Sequence, residues 1–145
     1  MSRIDRIHAF CLVFWCGFYD NFEDESLEYY KNCFAEGEKF NLSLVLRTIN
    51  GVFSNIHQID KLIKMHLKGW SIERISKIDL SILRLATYEI LFETKVNEKI
   101  SINEAVELSK VYSDKDSPRF VNGVLGSISK DTVKEVANID KTQSI

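Results

Sequence analysis

The segment from Asp79 to Phe92 constrains the fold more than any other part of the chain. Its apolar residues fall on every side of a helix rather than on one face. They are Leu80, Ile82, Leu83, Leu85, Ala86, Tyr88, Ile90, Leu91 and Phe92. A helix that is apolar all round is buried among other elements. We therefore expect a central helix with others packed around it. Arg84 within it needs a partner, because an unpaired buried charge is costly.

The rest of the chain also has a helical pattern. One proline and six glycines in 145 residues are too few for a turn-rich β-sandwich. Apolar residues at helical spacing predict six more helices, over about residues 3–18, 23–35, 41–53, 56–67, 101–112 and 117–130. The sequence therefore predicts an all-α protein of about seven helices. A joint near Gly69 would divide it into two small helical bundles, of about residues 1–69 and 70–130, followed by a polar C-terminal tail over residues 131–145.

Serines are predicted to begin several of these helices. Ser76 and Ser101 each precede an acidic residue by three positions, which is the spacing of a capping box. Ser117 is a good N-cap, and Pro118 suits the first position of the helix that follows. These signals predict helix starts at residues 76, 101 and 117.

The cysteines and the apolar run near the N-terminus indicate the compartment. Cys11, Cys16 and Cys33 form no CxxC pair, and an odd, sparse set is typical of reduced thiols in a cytoplasmic protein. The apolar residues 9–18 are too few to span a bilayer and are expected to form a buried helix. The sequence therefore predicts a cytoplasmic protein that does not bind a membrane.

Motifs of enzymes are missing from the sequence. It contains no GxGxxG, Walker, HExxH or GxSxG pattern, and its three histidines are scattered. Glu104 and Glu107 are paired carboxylates, but they belong to the polar side of an amphipathic helix. We therefore expect a binding module rather than an enzyme, with no cofactor and no metal.

The distribution of charge allows one local basic patch. The net charge is −2, so the chain as a whole has no strong basic field. Between residues 61 and 77, Glu73 is the single acidic residue, whereas five residues are basic: Lys61, Lys64, Lys68, Arg74 and Lys77. Together with Arg3 and Arg6 they could bind phosphates, although a solvated helix face is the simpler interpretation.

Three segments are distinctive: DLSILRLATYE (residues 79–89), INEAVELSK (102–110) and DSPRFVNGVL (116–125). In this order and at this spacing, they resemble the NusB family of bacterial transcription antitermination factors. With Trp70, Arg74 and Gly51, the similarity extends over about residues 3–130. It implies a NusB-like helical domain over residues 1–130, without catalysis, that serves antitermination of ribosomal RNA transcription. The implied partners are boxA RNA, ribosomal protein NusE and the RNA polymerase antitermination complex.

The resemblance also implies which residues bind RNA. Arg3 and Arg6 match two arginines of the family's N-terminal stretch, but fewer basic residues surround them here. Glu73, Asp116 and Phe120 align with the RNA-contacting edge. An unpaired base can stack on Phe120, and a carboxylate can accept protons from base amino groups. Helix capping for Asp116 and core packing for Phe120 remain alternatives.

The partner surface is implied in the same way. Phe14 and Asp79 align with family residues that contact NusE, although a capping role alone would also explain Asp79. Asn122 and Gly123 are expected to serve a close helix crossing or a local hydrogen bond. Some relatives form homodimers that hide the RNA surface, and the sequence does not decide between monomer and dimer. A protein-only scaffold without RNA binding is the alternative function.

Overall fold

The computed structural model describes residues 1–18, 32 and 39–143, with side chains up to residue 132. Within these ranges it contains no strand. Its elements are α1 (Arg3–Gly17), α2 (Leu42–Ser54), α3 (Ile56–Met65), a 3₁₀ turn (Ile72–Arg74), α4 (Lys77–Phe92), α5 (Glu98–Tyr112) and α6 (Ser117–Gln143). The expected all-α fold is therefore confirmed. The helix predicted over residues 23–35 lies outside the described residues.

Helix α4 is the central element that its apolar pattern predicts. It packs against α1, α2, α3, α5 and α6. Ile82 and Leu83 are almost completely buried on it. Each such side chain contributes about 1.5–3 kcal/mol when it leaves water. The hydrophobic core is consequently one continuous cluster arranged around this helix.

Arg84 has the partner that its position in α4 requires. Its guanidinium donates two hydrogen bonds to the Asp60 carboxylate, from Nε at 2.9 Å and from Nη2 at 2.8 Å. This paired geometry is the strong form of an arginine–carboxylate contact. It connects α4 to α3 and confirms the expectation drawn from the sequence.

Gly51 allows α2 to lie close to α4. A Cβ atom at this position would overlap the ring of Tyr88, which is itself buried. Glycine is the residue that permits such a close approach. The Tyr88 ring therefore fills the space that any other residue at position 51 would occupy.

Asp5 connects the start of α1 to the start of α2. Ser2 and Asp5 form a capping box, with both backbone-to-side-chain bonds at 3.1 Å. The Asp5 carboxylate also accepts a 2.8 Å bond from the Asn41 backbone N–H. Burial acts to raise the pKa of Asp5, but the bonds from Asn41 and Ser2 outweigh it and the net pKa is lowered. Asp5 is therefore an ionised structural residue.

One predicted helix start, the one at Ser101, is wrong. Helix α5 begins at Glu98 because Asn97 caps it, accepting a 2.9 Å bond from the Lys99 N–H. Ser101 lies inside the helix and is buried. In α5, a polar residue nearer the preceding turn therefore takes the capping position. Helix α6 begins at Ser117 as predicted, and the Asp116 carbonyl accepts a bond from the Phe120 N–H at 3.2 Å.

The chain changes direction at Gly69, which has a φ of 83°. Helix α4 packs against helices on both sides of this residue, so the division into two bundles stays a prediction. Helix α6 continues to Gln143, well past Lys130, where the apolar pattern weakens. No helix in the described part of the chain is long and apolar enough to cross a membrane.

Candidate nucleic-acid interface

Trp70 and Phe120 form an aromatic pair at the surface. Their ring centroids are 6.4 Å apart and the rings are inclined by 64°, an edge-to-face arrangement. Trp70 is 62% exposed, whereas Phe120 is partly buried against the core. Phe120 therefore packs against the core, as one alternative expected, while its role in base stacking stays a prediction.

A groove of about 390 Å³ lies on one side of this pair. We call it the acidic groove, since three aspartates lie along it. Its lining residues are Trp70, Arg74, Ile75, Ser76, Asp79, Asp114, Asp116, Ser117 and Phe120. Asp116 is exposed, and Glu73 is exposed in the neighbouring 3₁₀ turn. The structure therefore brings Asp116 and Phe120 together and places Glu73 next to Arg74 of the same groove.

A second groove of about 210 Å³ lies on the other side of the pair. We call it the basic groove; it is lined by His66, Leu67, Lys68, Trp70, Arg119, Phe120, Gly123, Val124 and Ser127. Trp70 and Phe120 line both grooves. Gly123 is exposed, and a Cβ there would meet nothing within 4 Å. The expected close helix crossing at Gly123 is therefore wrong, because this glycine faces open space.

Asp79 is buried and holds the connection between α5 and α6. Its carboxylate accepts bonds from the hydroxyls of Ser113 at 2.6 Å and Ser117 at 2.9 Å. Its own N–H donates to the Ser76 hydroxyl at 3.0 Å. The predicted capping box at Ser76 is thus half formed, since the Asp79 carboxylate is directed to the two serines instead. This cluster fixes residues 113–117, from which Asp116 enters the acidic groove.

Arg6 is not at the surface. Its Nε lies 3.0 Å and 3.4 Å from the two carboxylate oxygens of Glu89, and its Nη1 donates to the Met1 carbonyl at 2.9 Å. Arg6 is 5% exposed and Glu89 3%. Burial raises the pKa of Glu89 even though Arg6 acts to lower it. The assignment of Arg6 to the RNA surface is corrected on this ground, because a phosphate cannot reach it without breaking the buried pair.

Arg3 is accessible but already has a partner. Its Nε and Nη2 donate to the two Glu104 oxygens at 3.1 Å and 3.0 Å. The hydrogen bonds and charge of Arg3 lower the pKa of Glu104. Both residues line a small groove of about 110 Å³ along α5, apart from the two grooves at Trp70. Arg3 therefore remains a candidate phosphate contact on a different part of the surface.

Phe14 is partly buried near the end of α1, where further aromatic residues are exposed. Its ring meets the Phe18 ring edge-to-face at 4.9 Å, and Phe18 is 55% exposed. One turn earlier, the Phe10 ring lies 5.2 Å from that of Tyr112. Tyr112 directly precedes Ser113, which bonds Asp79. The structure thus connects the helix of Phe14 with the Asp79 cluster through α5.

Sequence reasoning missed Trp70 and Arg119 as site residues. Lys68 belongs to the basic run that was recognised, but charge alone does not show which of those lysines lines a groove. The signal that could have indicated Trp70 is its position directly after Gly69, where a large aromatic residue follows the predicted joint. Only the packing of the residue 66–75 segment against α6 puts these side chains around Phe120.

Comparison with known proteins decides the family. The family model described as NusB family matches residues 3–130, which is most of the chain. The chain belongs to the NusB family. The resemblance stated from the three sequence segments is therefore confirmed.

Individual NusB proteins agree with this result. The transcription antitermination protein NusB of Clostridium botulinum is 52% identical over 88 residues, 61% of this chain and 62% of that protein. The match thus spans less than two thirds of that relative. T. maritima NusB is 34% identical, with a TM-score of 0.76 over 88% of this chain and 89% of its own. A crystal structure of antitermination factors NusB and NusE in complex with dsRNA shares the fold, with 24% identity, a TM-score of 0.78 and coverages of 89% and 96%.

Proposed function

We propose that this chain is a transcription antitermination factor that binds boxA-type RNA together with ribosomal protein NusE during ribosomal RNA transcription. The exposed Trp70–Phe120 pair beside the Asp116 carboxylate carries this proposal. Single-stranded RNA is recognised by aromatic stacking and by contacts to the edges of splayed bases. Membership of the NusB family and the fold shared with the NusB–NusE–RNA complex support the same function.

The RNA surface combines two kinds of contact. At the acidic groove, Phe120 offers a ring for stacking and Asp116 an acceptor for base amino groups. Glu73, exposed in the neighbouring 3₁₀ turn, offers a further acceptor. Arg3 offers a phosphate contact at the start of α1. Because Arg6 is buried, this N-terminal contribution is a single arginine, and the affinity of the chain alone for RNA is low.

The surface for NusE includes the end of α1 and the Asp79 cluster. Phe14 and the exposed Phe18 present an aromatic edge that suits a protein partner. Asp79 contributes by holding residues 113–117 in place, since both of its carboxylate oxygens are engaged within the chain. A partner seated there would stabilise the connection that also presents Asp116.

The mechanism is scaffolding in the cytoplasm within the RNA polymerase antitermination complex, without catalysis or a cofactor. Two modest interfaces, one to RNA and one to NusE, combine through effective concentration. Neither interface then needs high affinity by itself. The assembly depends on both partners being present.

Titration of single-stranded boxA-type RNA, with and without NusE, tests this function. We expect weak binding by the chain alone and a clear gain in affinity when NusE is present, because the N-terminal arginine stretch is depleted. Equal affinity in both titrations would contradict the scaffold mechanism. Binding of NusE without any RNA binding would instead favour the protein-only scaffold.

Glu104→Gln should strengthen RNA binding. The carboxylate of Glu104 occupies the guanidinium of Arg3, and its loss makes Arg3 available to a phosphate. We expect a severalfold gain in affinity at low salt, measured by RNA titration. Glu98→Gln is the matched control, since it removes the same charge from the same helix and Glu98 does not line the groove of Arg3. Equal gains in both variants, or a gain that persists after Arg3→Ala, would show that Arg3 is not a contact.

A further inference from the structure

The grooves on the two sides of Trp70 and Phe120 differ in charge. The acidic groove contains Asp114 and Asp116 against Arg74, whereas the basic groove contains Lys68 and Arg119. The histidine in the basic groove, His66, faces Asp131, with 3.1 Å between its Nε2 and a carboxylate oxygen. In the part of the chain whose side chains are described, neither Lys68 nor Arg119 has an ion-pair partner. Lys68 and Arg119 therefore line the basic groove without a described ion-pair partner, and Asp131 places one carboxylate beside His66 at the same groove.

Trp70 is placed to act as a platform for a base. Its edge-to-face contact with Phe120 orients the indole, while 62% of the residue remains exposed. An aromatic side chain that is already oriented loses little freedom when a base stacks on it. Because Trp70 lines both grooves, a base stacked there would have carboxylates on one side and cations on the other.

Gly123 provides a second, independent sign of a ligand in the basic groove. Glycine weakens the interior of a helix, and here no neighbouring side chain requires its small size, since a Cβ would meet nothing within 4 Å. It is exposed and lines the groove next to Arg119 and Phe120. A glycine at such a position leaves the helix backbone open to close approach by a bound molecule.

We propose that single-stranded RNA crosses the Trp70–Phe120 pair, with a phosphate bound by Lys68 and Arg119 in the basic groove and a base stacked on Trp70. The amino edge of a base then points to the aspartates of the acidic groove. This inference rests on the proposed RNA-binding function and extends it. It adds Trp70, Lys68 and Arg119 as contacts and gives the strand a path from one groove to the other.

The first test measures the salt dependence of binding of boxA-type RNA, in the presence of NusE. Lys68→Ala with Arg119→Ala should weaken binding at low salt and reduce the slope of log affinity against log salt by about 1.4, or about 0.7 for each lost phosphate contact. Lys61→Ala with Lys64→Ala is the charge-matched control, because both lysines are exposed on α3 but line neither groove. It should leave the slope almost unchanged. Equal slopes in the two double variants would overturn the phosphate site.

The second test addresses the aromatic platform and the glycine. Trp70→Ala should weaken RNA binding by about fivefold to a hundredfold. Trp70→Phe should retain most of the affinity, since a base can stack on either ring. Gly123→Gln should weaken binding by filling the basic groove. Gly126→Gln should not, because that helical glycine also faces open space but does not line the groove. Thermal unfolding of every variant shows whether the fold is kept.

The outcomes separate this inference from the proposed function. If wild-type protein binds RNA with NusE while Trp70→Ala, Gly123→Gln and the Lys68–Arg119 double variant bind as tightly, the inference is wrong and the proposed function stands. If wild-type protein does not bind boxA-type RNA even with NusE, both are wrong. Selective loss in the groove variants with folded proteins supports both.

Discussion

Arg6→Ala is expected to lower the free energy of unfolding by about 3–5 kcal/mol, because it leaves Glu89 buried without its partner. The carboxylate lies 3.0 Å from the Arg6 Nε and is 3% exposed. The pKa of Glu89 is raised by burial even with Arg6 in place, so the pair does not fully offset the cost of desolvation. Without Arg6 this pKa must rise further. Urea denaturation of the variant measures the loss.

The loss should depend on pH in a defined direction. A carboxyl with a raised pKa in the folded state contributes stability at low pH, and this contribution is lost as the pH rises through the folded-state pKa. Since removal of Arg6 raises that pKa further, Arg6→Ala should destabilise the protein more at neutral pH than at mildly acidic pH. The opposite trend would contradict the buried pair as the cause.

Two further variants serve as controls for Arg6. Arg3→Ala removes an arginine of the same helix whose pair with Glu104 is exposed, and such pairs contribute little to stability. Arg6→Met combined with Glu89→Leu replaces the whole pair by apolar side chains and should recover most of the stability. If Arg6→Ala instead left stability unchanged and reduced only RNA affinity, Arg6 would be an RNA contact after all.

Asp79→Ala is expected to cost about 3–6 kcal/mol of stability and to weaken RNA binding as well. The variant loses two hydrogen bonds to a charged acceptor, from Ser113 and Ser117, each worth about 1.5–3 kcal/mol. It also releases the connection that carries Asp116 to the acidic groove. Urea denaturation and RNA titration of the same preparation measure the two effects together.

The role of Asp79 can be separated from that of a simple surface carboxylate. Asp114→Ala removes an exposed aspartate from the same groove and should change stability by no more than about 0.5 kcal/mol. Asp79→Asn keeps the shape and an acceptor oxygen, so it should recover part of both losses. If Asp79→Ala kept normal stability and lost only NusE binding, Asp79 would be a direct contact of the partner.

Local patterns predicted the helices of the described residues and their order correctly. The segment after Ser76 is central because no side of it can face water, and Arg84 needed a carboxylate for the same reason. The exact starts were less predictable. Asn97 competes with Ser101 for one helix start, and both have side chains that cap well, so only the path of the chain decides between them.

The site was predictable in its parts but not in its arrangement. Asp116 and Phe120 are one helical turn apart, so their association followed from the sequence. The contact of Phe120 with Trp70 joins segments that lie far apart in the chain, and no local pattern encodes it. The exposure of the two arginines could not be predicted either, because it also depends on distant segments. Arg3 faces solvent, while Arg6 is buried against Glu89 of α4.

By itself, the sequence determined an all-helical NusB-family protein with a buried central helix, because helical periodicity and family segments are properties of consecutive residues. The tertiary structure alone decided which polar side chains remain available. Arg6 and Asp79 are engaged in the interior, whereas Trp70, Lys68 and Arg119 line grooves around Phe120. Accessibility depends on what the other helices cover, and that is fixed only when they pack around α4.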